Sequence, residues 1–429
     1  MVILGSMKKW MLITLVLIVG AVGSVYISLS STAEVFKTCE IMGLDDIEAI
    51  NFSRHDSVLV AASTLYQGNP LKNFMQGEQY REAWSTPVKV PIVFLDTLMG
   101  GMKVIDEGGG KQTHSLKLRA KSGAIYTMRG INKDPKALVP DFARKLGLEN
   151  IIVDGISAQH PYAALVVSKL AEKGGLLHTA PRAIFVPKQD ILDKHNSKYG
   201  NRLFLLEHET EGGINWTPYK DVVEIMDTDD LQQLRMQHGK LVTIDRSALV
   251  RARLFDILIG DWDRHAKQWG WVVQKKNENY KAIPLPGDRD NAFFNIEGLI
   301  PTIIANKNLL PGLQAFDKEI DYLPGLVMPF DIYFLKNTSV DVFIKEAHFL
   351  QSALSDEVID QAFKVWPERI YKLDAIDIIE TLKVRRDNLV AYATNFSTLI
   401  NGHEYLSEPL KGSEDKSSDE VAVACFECD

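Results

Sequence analysis

The segment LIGDWDRHAKQWGW, residues 258–271, places two aspartates, an arginine and a histidine within the five positions from Asp261 to His265. The apolar residues Ile257, Leu258 and Ile259 come before this cluster, and Trp269, Gly270, Trp271 and Val272 come after it. A charged cluster between two apolar segments predicts a short loop held between buried elements. Loops on rigid scaffolds are common positions for catalytic residues.

The segments around this loop predict a definite order of elements. DRSALVRARLFDILIG, with Asp245 as its N-cap, predicts a helix that leads into the loop. WGWVVQ and NYKAIPL predict a β-hairpin after it, and PLPGDRDNAFF then forms a second charged loop with Asp288 and Asp290. Because one hairpin joins the two loops, we expect them to lie side by side. Their carboxylates suit Mg²⁺, which prefers hard oxygen ligands together with substrate phosphates.

The other segments predict a β-rich front and a mainly helical back. HSLKLRA and AIYTMRG alternate polar and apolar residues around a KSG turn, which predicts a hairpin, and RAIFVP and RLFLLEHE predict strands. DGISAQHPYAALVVSKLAEKGG predicts one helix of about 18 residues. Beyond Pro329 we expect mainly helices. The expected fold class is therefore α+β.

The N-terminus predicts export. Lys8 and Lys9 precede the apolar segment Trp10 to Ser28, which is long enough to cross a bilayer. Both a cleaved signal peptide and a retained anchor fit this pattern. Lysines before the segment place the rest of the chain outside the cytoplasm, so we expect a cell-envelope protein, either periplasmic or anchored in the inner membrane. The net charge of −8 does not suggest a nucleic-acid partner.

Four regions follow from these patterns. We expect a signal peptide or anchor over residues 1–33, a β-rich N-lobe over 45–190, a C-lobe with both charged loops over 191–405, and an acidic disordered tail over 406–429. Cys425 and Cys428 form a CFEC motif in the tail. Because no second such motif exists, the motif predicts a local disulfide or no special role.

The order of helix, aspartate loop, two strands and aspartate loop resembles a protein-kinase active site. Here Asp-Arg-His replaces the usual His-Arg-Asp, and the chain instead resembles the atypical kinase-like superfamily. That superfamily includes HipA toxin kinases, CotH spore-coat kinases, secretory-pathway casein kinases and phosphatidylinositol 4-kinases. GDWDRHAKQ is similar to the HipA and CotH catalytic loops, and PLPGDRDNAF to a CotH metal loop. VKVPIVFLDT, ISAQHPYAALVV and LLHTAP are similar to the kinase-like region of large bacterial envelope proteins.

The resemblance implies a two-lobed, protein-kinase-like fold and the use of ATP with Mg²⁺ or Mn²⁺. Asp263 corresponds to the catalytic residue that positions or deprotonates the acceptor hydroxyl. Asp288 corresponds to the metal-chelating residue, with Asp290 as the competing choice. Gln268 stands where the superfamily has Asn, so its amide oxygen is one methylene farther from the backbone.

The phosphates of ATP are expected to bind the front lobe. The glycine turn in DEGGGKQT, residues 106–113, presents backbone N–H groups of the kind that bind anions, although a plain flexible turn is the alternative. Arg129 and Lys133 are the candidate strand cations, and Glu172 on the predicted long helix is the expected acidic partner. The candidate cofactor-binding residues are Gly109, Gly110, Lys111, Arg129 and Lys133.

Three functions stay open from the sequence. The first is an extracytoplasmic kinase-like phosphotransferase whose acceptor hydroxyl belongs to an unknown protein, glycan or lipid. The second is a catalytically inactive pseudokinase scaffold of the envelope, which Gln268 and the scarcity of ATP outside the cytoplasm favour. The third is an Asp/His metal-dependent phosphoesterase that uses His265 with Asp263 and Asp288. The expected partners are a nucleotide and the membrane.

Overall fold

The computed structural model describes residues 2–32, 39–41, 47–109, 113–134, 139–406 and 410. The strands are β1 (Glu40–Ile41), β2 (Ser57–Ala61), β3 (Val88–Pro91), β4 (Met102–Gly108), β5 (Thr113–Ala120), β6 (Ile125–Lys133), β7 (Arg182–Val186), β8 (Arg202–His208), β9 (Val222–Asp227), β10 (Val242–Ile244), β11 (Trp269–Lys276) and β12 (Asn279–Pro286). The α-helices are α1 (Val2–Leu29), α2 (Pro70–Gln76), α3 (Arg81–Ser85), α4 (Asp141–Lys145), α5 (Glu149–Gly155), α6 (Ala163–Lys173), α7 (Asn196–Tyr199), α8 (Thr228–His238), α9 (Arg246–Ile259), α10 (Leu299–Ile304), α11 (Pro329–Leu335), α12 (Val340–Ala353), α13 (Asp356–Ala362), α14 (Glu368–Ile370), α15 (Ile376–Asp387) and α16 (Leu389–Gly402). Gly110, Lys111, the Cys425–Cys428 motif and the tail from residue 411 lie outside the described residues.

A five-stranded antiparallel sheet forms the front of the molecule, in the order β4-β5-β6-β8-β7. The predicted hairpin is β5 and β6, and the predicted strands RAIFVP and RLFLLEHE are β7 and β8. Alternate side chains of these strands point to opposite faces, and one face buries Leu116, Met128 and Phe204 in an apolar cluster. Because β8 begins at Arg202, this sheet continues past residue 190.

The predicted order around the charged loops is confirmed. The Asp245 side chain accepts a hydrogen bond from the Ala248 N–H at 3.0 Å and caps α9. The helix ends at Gly260, whose φ of 70° is left-handed and suits glycine. β11 and β12 pair with Trp269 opposite Pro286, so the loops before and after this hairpin meet at one end of the sheet β10-β12-β11-β9.

The chain after β12 is mainly helical. α12 packs against α9 and α16, and the buried side chains of these helices join one large apolar core with the four-stranded sheet. The protein therefore has the predicted α+β fold, with a β-sheet lobe and a helical region.

The single long helix predicted over DGISAQHPYAALVVSKLAEKGG is wrong. α5 ends at Gly155, a 3₁₀ turn covers Ile156–Ala158, and α6 begins only at Ala163. The break lies at Pro161, because proline has no N–H to donate and disfavours the helical conformation of the residue before it.

The N-terminal helix α1 contains one span, Lys8–Leu29, that is long and apolar enough to cross a membrane. A signal sequence has the same properties, so both predicted roles stay open. The end of α1 is packed into the folded body. The Gln76 side-chain amide donates to Ser28 Oγ at 3.0 Å, and the Lys72 ammonium donates to Thr32 Oγ1 at 3.0 Å.

Candidate functional site

A cleft of about 430 Å³ lies between the five-stranded sheet and the two charged loops. The predicted site residues on its walls are Gly109, Arg129, Lys133, Asp263, Gln268, Asp288 and Asp290. Gly109 has a φ of 113°, and an added Cβ would lie 2.0 Å from the Thr113 carbonyl oxygen, so this turn requires glycine. The fold thus gathers the described candidates from three distant segments into one cleft.

Two ion pairs cross this cleft. The Arg129 guanidinium donates to Asp288 Oδ2 at 2.5 Å, and the Lys133 ammonium donates to Asp290 Oδ2 at 2.6 Å. Both cations lie on β6, and both acids lie in the loop after β12. Because these groups are largely buried, salt screens the pairs less than it screens surface pairs. Opposite charges therefore connect the sheet to the second charged loop.

The pKa values of the two carboxylates shift in opposite directions. Burial raises the pKa of Asp288 to about 7, although Arg129 opposes this effect. Burial also acts to raise the pKa of Asp290, but Lys133 and Arg129 outweigh it and hold that pKa below its ordinary value. The Oδ1 atom of Asp288 is buried and has no hydrogen-bond partner among the described residues. A buried carboxylate oxygen without a partner is costly, so this atom favours a cationic ligand.

The residues present fit a metal ion shared with a phosphate ligand. Asp288 and Asp290 supply two neighbouring carboxylates, and Gln268 supplies an amide that lines the same cleft. Within the described ranges, no group of three or more His, Cys, Asp or Glu side chains is placed to hold a metal ion. Mg²⁺ is often bound by one or two carboxylates plus substrate phosphates, so such a site does not require a larger protein cage.

The predicted pairing of Arg129 with Glu172 is wrong. Glu172 lies near the exposed end of α6 and pairs with Lys169 at 3.1 Å. Arg129 Nε instead donates to Glu207 Oε1 at 3.2 Å, and Thr179 Oγ1 donates to Glu207 Oε2 at 2.5 Å. Glu207 is within reach because β8 is the hydrogen-bonded neighbour of β6. The sequence contained a signal, since an acid in the apolar strand RLFLLEHE needs a buried partner.

The first charged loop holds Asp263 at the cleft. The Asp263 N–H donates to Asp261 Oδ1 at 3.3 Å, and Asp263 Oδ1 lies 3.7 Å from His265 Nε2. Asp261 is buried, which raises its pKa well above the ordinary value. Asp261 therefore braces the loop backbone, while the Asp263 carboxylate stays partly exposed.

Asp256 is a residue that the sequence reasoning missed. This α9 side chain is fully buried, and its carboxylate accepts hydrogen bonds from the guanidinium groups of Arg253, Arg264 and Arg289 at 3.1, 3.2 and 2.9 Å. Arg264 also donates to the carbonyl oxygens of Gly287 and Asp288 at 2.8 and 3.1 Å. One carboxylate thus fixes both charged loops. A lone acid in the apolar segment LFDILIG was the available signal.

His208 lies on the cleft wall at the end of β8. Its ring packs against Tyr126 and Trp216, with centroid distances of 4.4 and 4.3 Å. Burial lowers the pKa of His208 to about 4, and Arg182 and His178 add to this effect. An unfolded histidine titrates near pH ~6.5. The stability contributed by neutral His208 is therefore present above about pH 6.5 and is lost as the pH falls towards 4.

We expect His208→Gln to lose less stability than the wild type on acidification, because glutamine does not titrate. The measurement is the thermal midpoint of both proteins across the window from the unfolded to the folded pKa of His208. The difference between their midpoints should narrow or reverse towards the acidic end. If the thermal midpoints of the two proteins fall in parallel with pH, the lowered pKa of His208 does not contribute to the acid sensitivity.

No protein-family model and no curated protein matches this chain. Solved structures that it resembles include the Helicobacter pylori proinflammatory kinase CtkA, with 11% identity and a TM-score of 0.33 over 66% of this chain and 94% of that one. Another is HipA of Shewanella oneidensis MR-1, from a complex with HipB and operator DNA, with 11% identity and a TM-score of 0.25 over 70% of this chain and 68% of that one. These neighbours are kinase-like. Similarity at these identities and TM-scores does not show which activity this chain has.

Proposed function

We propose that this chain is a kinase-like phosphotransferase that uses ATP and Mg²⁺ or Mn²⁺ to phosphorylate a hydroxyl group outside the cytoplasm. The observation that carries the proposal is the pairing of two strand cations with two loop carboxylates across one cleft. Arg129 and Lys133 meet Asp288 and Asp290 there, beside the partly exposed Asp263. The apolar α1 supports the location. The acceptor is a hydroxyl of a protein, a glycan or a lipid.

The side chains of the cleft divide into groups that bind phosphate and groups that would hold the metal ion. Arg129 and Lys133 bind phosphate oxygens, and the guanidinium of Arg129 can do so with two parallel hydrogen bonds. Asp288, Asp290 and Gln268 would hold the metal ion, which when bound would neutralise phosphate charge. Those five residues bind and orient the nucleotide.

Asp263 acts on the acceptor. The acceptor oxygen forms a bond to the γ-phosphorus, the bond between that phosphorus and the bridging oxygen of ADP breaks, and the hydroxyl proton passes to the Asp263 carboxylate. Transfer of this kind depends mainly on positioning and electrostatic stabilisation. Asp261 and Arg264 keep the loop that carries Asp263 in place.

The ion pairs across the cleft also explain how a charged ligand can enter. Without nucleotide, Arg129 and Lys133 neutralise Asp288 and Asp290. Nucleotide and metal together offer the cations phosphate oxygens and the carboxylates a positive ion. Each buried charge therefore exchanges one partner of opposite sign for another. No buried charge is left without a partner, which would cost several kcal/mol of free energy, roughly 3–5 kcal/mol.

The first test is the thermal stability of the full-length chain in detergent, with and without ATP and Mg²⁺ or Mn²⁺. The full chain is needed because the end of α1 is packed into the body. A ligand at about 100 times its dissociation constant stabilises a protein by roughly 2.7 kcal/mol. We expect a metal-dependent rise in the midpoint for wild type and none for Asp288→Asn, which loses the carboxylate charge.

Asp356→Asn is the matched control for this test. Asp356 is an exposed surface acid on α13, and its variant should keep the nucleotide-dependent rise. Absence of any rise in wild type with every nucleotide and metal tested would end the kinase proposal. A rise of equal size in Asp288→Asn would show that Asp288 is not needed for nucleotide and metal binding.

A pseudokinase scaffold is the second candidate, because Gln268 stands on the cleft where the superfamily has Asn. Such a protein would bind nucleotide and transfer no phosphate. An assay for ADP formation with extracts of envelope protein, glycan and lipid separates the two. The phosphoesterase alternative has weaker support, because such enzymes usually draw several histidines and acids to one metal, and the described residues contain no such group.

A further inference from the structure

Exposed apolar side chains near the end of α1 have no role in the proposed activity. They are Phe74, Phe142, Leu146, Leu299 and Ile303, here called the apolar rim. They lie on α2, on α4 and the turn after it, and on α10. Single exposed apolar residues are ordinary, but several in one region indicate an interaction surface.

Two hydrogen bonds hold α2 and the turn after α4 against α1. Gln76, at the end of α2, donates to Ser28 Oγ at 3.0 Å. The Tyr26 hydroxyl donates to the Leu146 carbonyl oxygen at 2.7 Å. Ser28 is buried, whereas most of the apolar residues of α1 from Trp10 to Ile27 are exposed. α1 therefore leaves the folded body beside the helix that carries Phe74 and beside Leu146.

α10 is joined to the same place through α2. An added Cβ on Gly298 would lie 2.1 Å from the Gly77 nitrogen, so the two backbones are in close contact. The Gln79 N–H also donates to Glu297 Oε2 at 3.4 Å. The six residues of α10 read LIPTII, and none of their side chains is buried by the residues that the structure describes. Ile303 is 60% exposed.

We propose that the apolar rim rests in the interfacial layer of the membrane that α1 crosses. The argument is continuity with α1. Lipid covers the exposed apolar residues of α1 up to its docked end. The rim residues of α2 and α4 lie on elements that contact this end, and those of α10 lie on a helix that packs beside α2. Tyr26, at the docked end, is of a type enriched at membrane interfaces. Apolar side chains there enter the boundary between headgroups and acyl chains. This inference takes α1 as a retained membrane anchor, one of its two predicted roles, and does not rest on phosphoryl transfer.

Site-directed spin labelling of the full chain in liposomes tests this surface. The liposomes contain phosphatidylethanolamine and phosphatidylglycerol, and intact mass confirms that α1 is present. Cys425 and Cys428 are replaced by serine, while buried Cys39 stays, because burial raises the pKa of its thiol to about 12 and slows labelling. A nitroxide is then attached to Ile303→Cys or, as control, to Val223→Cys. Val223 is 50% exposed on the edge strand β9.

Oxygen concentrates in lipid, whereas a nickel chelate stays in water. We expect the ratio of oxygen to nickel collisions at position 303 to exceed that at 223 several-fold. Phe74→Cys is a second label position and should resemble 303, and thermal unfolding checks that each variant is folded. Nickel-dominated collisions at both 303 and 74 would overturn the proposal. Spin–spin broadening at 303 that disappears on dilution with unlabelled protein would do the same and would assign the surface to a second copy of the chain. Neither result involves nucleotide, so the kinase proposal would be unaffected.

Discussion

Asp263→Asn is expected to lower the rate of phosphoryl transfer by about 10²- to 10⁴-fold, the range in which a positioned general base contributes. An amide keeps the size of the side chain but cannot take the proton of the acceptor hydroxyl. The Asp263 carboxylate is partly exposed, and the loop is held through the Asp263 backbone N–H. We therefore expect little change in stability. The measurement is the initial rate of ADP formation with the envelope extract that supports transfer by the wild type.

The nucleotide-dependent thermal shift is the control for this prediction. Asp263→Asn should keep the shift, because Asp288 and Asp290 are unchanged, whereas Asp288→Asn should lose both the shift and the transfer. Equal transfer rates in wild type and Asp263→Asn would show that Asp263 is not the base. A wild-type chain that binds nucleotide and transfers nothing would favour the pseudokinase scaffold.

Asp256→Asn is expected to destabilise the folded state by about 3–5 kcal/mol, the usual cost of removing one partner from a buried ion pair. Burial acts to raise the pKa of Asp256, yet Arg264, Arg289 and Arg253 outweigh it and keep the pKa below the ordinary value. The carboxylate is therefore charged in the folded state. Its loss would leave three buried guanidinium groups with too little negative charge. The measurement is the unfolding midpoint of the full chain in denaturant.

Asp356→Asn is the matched control here as well. Asp356 also pairs with cations, Lys383 and Arg386, but it is exposed, and exposed ion pairs contribute little. Its midpoint should stay close to that of wild type. A loss in Asp256→Asn no larger than the loss in Asp356→Asn would show that the buried cluster is not what holds the loops.

The sequence alone predicted the elements next to the site, because their signals are local. The cap Asp245, the stop at Gly260 and the hairpin between the charged loops depend on residues a few positions apart. The hairpin also brings Asp263 and Asp288 to one cleft, since a short connection leaves its two ends as neighbours. The break at Pro161 was equally local and was overlooked.

The partners of the charged side chains were decided only by the tertiary structure. Arg129 could be identified as a cation on a strand, but whether it pairs with Glu172 or Glu207 depends on which element packs beside β6. Its contact with Asp288 joins residues 159 positions apart. A buried charge requires a partner of opposite charge, and the sequence reveals that requirement when an acid stands in an apolar segment. It does not reveal which distant side chain meets the requirement, because that depends on how the sheet, the helices and the two loops pack together.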